Sequence, residues 1–146
     1  MKTKLYQKLI ATNPASWVPL PLRLGLGLVM MAHGAQKLFG WFGGYGLEGT
    51  AGFFSHTLGM EPGLLWATLA GSGEFFGGLL VFLGLLTRPG AALVAITMTV
   101  AVIKVHFPAF FMASNGVEFP LSLLLAAVAL LVSGGGRFSV DSRLQA

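Results

Sequence analysis

The chain has no cysteine among its 146 residues. Disulfides, thiolate catalysis and cysteine-bound iron–sulfur clusters are thereby excluded. Charge is scarce as well: 10% of the residues are charged, against about 25% in an ordinary soluble domain. Nine basic and five acidic side chains cannot coat a water-exposed surface of this size. The net charge of +4 is scattered and does not cluster on a polar domain, which argues against nucleic-acid binding. There is no dinucleotide glycine fingerprint, no phosphate-binding loop and no HExxH pair.

What the chain has in quantity is apolar sequence, 55% of its residues. At about 20 residues per crossing, the length suits an all-α membrane protein, a bundle of four transmembrane helices in a single domain spanning 1–146. Expected spans run over about 20–39, 62–86, 89–107 and 118–133, with polar, flexible tails at 1–16 and 134–146. Pro14, Pro19 and Pro21 separate the first tail from the first span. The lysines and apolar run at the N-terminus also resemble a secretory signal, but Arg23 interrupts that run and three more apolar spans follow. Between the first two spans lies a segment rich in glycine and aromatics. It reads as an interfacial loop with a short amphipathic helix, capped by Thr50 and ended by Gly59. Thr87-Arg88-Pro89-Gly90 reads as a tight connection, and Asn115-Gly116 as a turn.

Basic residues set the expected orientation. Lys2, Lys4, Lys8, Arg88, Arg137 and Arg143 fall on one side, and Lys37 and Lys104 on the other. Both termini are therefore expected in the cytoplasm, with Arg23 and Arg88 as inner-interface anchors.

Ionisable groups are expensive in hydrocarbon and normally face protein or a wet cavity. Glu74 lies near the middle of the second span, with Ala70, Gly71, Gly77 and Gly78 at helical spacing around it. Small neighbours let a second helix come close, so Glu74 is expected to point into the bundle. A salt bridge from Glu74 to Lys37 or Lys104 is its purely structural reading. His33, Gln36 and Lys37 share one helical face. Lys104, His106 and Glu118 are expected at the same outer depth, although Lys104 and His106 diverge around their helix. Each has a plain alternative: snorkelling for the lysines, helix packing for His33, an interfacial position for His106 and a helix start for Glu118.

As chemistry, Glu74 and His33 are the candidate catalytic, proton-exchanging groups. Lys37, Gln36, Lys104, His106 and Glu118 are candidates for holding a substrate, either an anion or a quinone carbonyl. Two histidines on separate helices are a weak basis for haem or copper, so no metal site is expected.

Four pieces of sequence in fixed order make the chain recognisable: HG-x-QK-x-FG from His33, EF-x-GG from Glu74, K-x-H from Lys104 and G-x-EFP from Gly116. In this combination the chain resembles the DoxX family of small bacterial membrane proteins over about residues 22–141. The resemblance implies a four-helix bundle in the bacterial plasma membrane, linked to quinone or oxidative-stress redox chemistry, as a subunit or partner of a redox protein. It implies no agreed catalytic set. Transport of a small solute or proton, and a non-catalytic assembly role, stay open beside it, as does oligomerisation.

Overall fold

The computed structural model describes residues 2–145, with side chains from residue 4 onward. Met1, Ala146 and the Lys2 side chain, all assigned to the polar tails above, lie outside the described residues. Every regular element among the described residues is helical. A short α1, Lys2–Leu9, precedes α2, Pro19–Phe39. A helical turn at Trp41–Gly43 leads to α3, Gly46–Gly52, which runs on into a π-turn at Phe53–Thr57. Then come α4, Gly63–Leu83, and α5, Thr87–Val100, which continues through a π-turn at Ala101–His106. After a turn at Met112–Ser114 follow α6, Glu118–Ser133, and α7, Val140–Leu144.

The four long helices close into a ring: α2 packs on α4, α4 on α5, α5 on α6 and α6 back on α2. Glycine decides how closely α2 and α4 approach. A methyl at Gly78 would stand 2.9 Å from the carbonyl of Gly27, and one at Gly27 would stand 2.8 Å from the carbonyl of Gly78. Backbones in such contact gain packing that lipid cannot replace. On the opposite side of α4, Gly77 meets Gly90 and Gly73 meets Thr97 of α5. The rest of the core is aliphatic: Leu26 and Met30 of α2, Val81 of α4, Ala91, Val94 and Met98 of α5, and Ala127 and Leu130 of α6.

Two of the helices, α4 and the continuous Thr87–His106 segment, are long and apolar enough to cross a membrane. α2 has the same length as α4, 21 residues, but carries Arg23, His33, Gln36 and Lys37, and α6 is a shorter apolar helix of 16 residues. Four hydroxyls on these helices are satisfied locally. Thr68, Thr97, Thr99 and Ser122 each donate to the carbonyl four residues earlier, as a side chain in a medium without water must.

The tails depart from expectation. The C-terminal segment is built into the end of the bundle where the chain termini lie, with Ser139 and Asp141 buried. The Asp141 carboxylate accepts from the amides of Leu86 (2.7 Å) and Thr87 (2.8 Å) and from the Thr87 hydroxyl (2.7 Å). It thus caps the first turn of α5, whose exposed amides and dipole favour an anion. Arg23 turns into the protein and not outward. It is 2% exposed and donates to the carbonyl of Gly135 at 2.7 Å. Arg88 gathers the carbonyls of Ala11, Leu131 and Val132, closing the end of α6. The N-terminal segment is tied in by Thr12, which accepts from Gly136, and by Ser16, which accepts from Arg137.

Two local readings also shift. Thr87 begins α5, so the connection is Gly84–Leu86, with Leu86 in the left-handed region. Thr50 is no cap: it sits inside α3, and its hydroxyl donates to the carbonyl of Lys37.

Candidate functional site

The chemistry-bearing residues converge at the other end of the bundle, beneath the two long loops. Glu74 is 3% exposed and lies about one turn above the Gly78 contact. Gly71 packs on Leu38 and Lys37 of α2, and Gly73 packs on Thr97 of α5. Glu74 is thus held between two helix contacts and directed inward. The Lys37 ammonium donates to Glu74 Oε2 at 2.7 Å. Among the described residues, Glu74 Oε1 accepts from no protein group.

Glu74 belongs to the wall of a cavity of about 420 Å³. Its polar lining is Glu74, Lys37, His33, His106 and Thr97. The remainder is apolar, including Met30, Phe54, Trp66, Leu69, Ile96, Met98 and Phe119. A pocket of this size, mostly apolar with a few converging polar groups, has the make-up of a small-molecule site. The His33 ring leans against Phe119, with centroids 6.0 Å apart. The His106 ring is held by its Nδ1, which lies 2.8 Å from the carbonyl of Asn115. His106 stands in the π-turn that ends α5; turns of this kind recur at functional sites.

The outer layer expected from the sequence divides. Glu74, His33, Lys37 and His106 line the cavity. Gln36 does not: its amide donates to the carbonyl of Phe42, and it lines a separate depression with Lys37, Gly43, Gly44, Tyr45 and Thr50. Lys104 is exposed, outside the cavity. Its divergence from His106 around the helix sends the two to opposite sides. Glu118 also lies outside. It opens α6, and its carboxylate accepts from the amide of Met112 at 2.5 Å, which folds the preceding loop.

Sequence reasoning did not single out Thr97, Phe54 or Met98 as cavity residues. Thr97 carried a usable signal, a hydroxyl facing a helical glycine across α4 and α5. For the two apolar residues there was none. Among the described residues no group of three or more histidine, aspartate and glutamate side chains could hold a metal ion.

Comparison with known proteins agrees with this architecture. The DoxX family model matches residues 18–107, which cover α2, the first loop, α4 and α5 through its π-turn. The chain is 35% identical over 122 residues to a Bacillus subtilis (strain 168) protein named "Putative oxidoreductase CatD", covering 84% of this chain and 83% of that one. It is 34% identical over 134 residues to "Uncharacterized membrane protein Rv3486" of Mycobacterium tuberculosis (strain ATCC 25618 / H37Rv), covering 84% and 78%. No solved structure matches the chain with comparable significance. The match over most of the helical ring, with relatives of this similarity over most of their length, establishes the chain as an all-helical membrane protein of the DoxX family.

Proposed function

We propose that this protein is a redox-associated membrane subunit that holds the polar head of a small oxidisable or reducible molecule, of quinone type, in the cavity beside Glu74. The observation that carries this reading is the arrangement of Glu74 itself. Its carboxylate is buried, paired with Lys37 through one oxygen, with no protein donor on the other among the described residues, and the residue lines a largely apolar cavity. A carboxylate kept in that position is costly unless something uses it. A redox partner protein supplies or takes up the electrons, and Glu74 and His33 give or take the proton that accompanies reduction or oxidation of the head group. Lys37 and His106 stabilise negative charge that develops on its oxygen. The relative named as an oxidoreductase supports a redox setting.

In this reading α2, α4, α5 with its π-turn and α6 all cross the bacterial plasma membrane. Twenty-one residues of helix rise about 31 Å, which matches the hydrocarbon thickness of about 30 Å. The shorter α6 is supported at both ends by the loop folded by Glu118 and the carbonyl cap of Arg88. Arg88, Arg137 and Arg143 lie toward the end formed by the termini, which supports cytoplasmic termini. The interlocked tails around Arg23 and Asp141 fill that end, which favours a binding site over a path through the bundle.

The test is a quinone titration of the purified protein read by fluorescence of Trp66, which lines the cavity. Saturable quenching is expected, and it should be lost in Glu74→Gln. An unsaturable signal that Glu74→Gln leaves unchanged would reject the reading.

A further inference from the structure

The cavity has an open side. Its wall between α4 and α5 includes side chains that are themselves exposed: Leu69 at 55%, Leu93 at 41% and Ile96 at 64%. The two helices are in contact where Gly77 meets Gly90 and where Gly73 meets Thr97. Farther toward the loops, Trp66 and Ala70 on α4, Val100 at the end of α5 and Ala101 of the π-turn line the cavity. There the π-turn packs more on α6 than on α4. The pair of helices is thus joined at one end and parted at the other. The exposed faces framing the gap are apolar, and both helices have the length and composition of a membrane span. What stands before such a gap is lipid.

A polar approach would come from the depression beneath the first loop, which shares Lys37 and Phe54 with the cavity. Lys37 is tied to Glu74, and Phe54 is 6% exposed.

We infer that the ligand of this cavity enters sideways from the bilayer through the gap between α4 and α5, and that it is an amphiphile: a compact hydrogen-bonding head that reaches Glu74 and an apolar tail that remains in the gap. The inference rests on the cavity being a ligand site, as proposed above. It adds the route and the class of molecule. The polar groups cluster around Glu74, while the lining toward the gap is aliphatic, so a hydrated ion entering there would shed its water against hydrocarbon. The volume of about 420 Å³ is near the low end for small-molecule sites, roughly 300–1,000 Å³. It accommodates a ring, and a long chain must lie outside it.

The experiment compares a decyl-tailed benzoquinone with its tailless methyl analogue, on protein in lipid nanodiscs, by the affinity and rate of Trp66 quenching. The tailed compound should bind tighter. In the double variant Leu69→Phe, Ile96→Phe, which narrows the gap with residues already facing outward, its association should slow about tenfold. Val128→Phe, on the exposed face of α6 and outside the cavity, should change nothing and controls for folding. Equal binding of the two compounds, or an unchanged rate in the double variant while Glu74→Gln still abolishes quenching, would overturn lateral entry and leave the site standing. Absence of quenching by either compound in the unmodified protein would overturn both.

Discussion

Lys37 and Glu74 form the one ion pair among the described residues, and it joins α2 to α4 beneath the loops. The Lys37 side chain keeps 29% of its exposure and Glu74 only 4%, so the pair is unequal. Removing the lysine strands a buried carboxylate, whereas replacing both residues with neutral ones strands nothing. Lys37→Met should destabilise the protein by about 3 kcal/mol. Combining it with Glu74→Gln should recover much of that loss. Thermal or denaturant unfolding in detergent across the double-mutant cycle reads the coupling. Strict additivity of the two single changes would mean that the pair does not act as a unit.

The close approach of α2 and α4 makes a second prediction. Gly78→Ala places a methyl 2.8 Å from the amide nitrogen of Met31, and backbone cannot step aside. A loss of about 1–3 kcal/mol is expected. Gly25→Ala on the same α2 meets nothing within 4 Å, so its stability should change by less than about 1 kcal/mol. Melting temperatures of the two variants, measured side by side, separate packing from a general intolerance of alanine.

Asp141 satisfies two backbone amides and a hydroxyl with one carboxylate. Asp141→Ala leaves these buried donors without acceptors, at a loss of about 1–3 kcal/mol or more. Hydrogen exchange should locate the damage in the first turn of α5, far along the chain from the substitution. Protection lost only within the tail itself would contradict the capping role.

Within the candidate site, position relative to the cavity should sort the variants. His33→Phe and Glu74→Gln should abolish quinone quenching of Trp66. Lys104→Ala should leave it intact, because Lys104 stands outside the cavity. Affinities for the three variants in one titration series decide this. Equal loss in Lys104→Ala would return Lys104 to the site.

Part of this architecture was legible in the residues. The bounds of α6 match the expected span, and the small residues flanking Glu74 correctly predicted that it faces protein. Its pairing with Lys37 follows from the cost of an unpaired charge in hydrocarbon. Periodicity says which residues share a helical face, but not how two faces are rotated against each other. Gln36 therefore shared a face with His33 and Lys37 and still turned to the loop carbonyl of Phe42. Depth was equally incomplete as a guide: Lys104 and His106 lie at one level on opposite sides of the helix. The tails were misread for a different reason. A polar, glycine-rich segment looks flexible by composition, and nothing local announces that Asp141 completes a helix 54 residues earlier.

That long-range cap has a consequence for how the molecule is made. The turn between α4 and α5 emerges from the ribosome well before the side chain that closes it. Until the segment holding Gly135 and Asp141 has been made, α5 carries bare amides at its start and Arg23 lacks the carbonyl of Gly135. The helices before it can pack earlier, but this seam is fastened only when that segment arrives, so a product truncated ahead of Gly135 would have its seam undone.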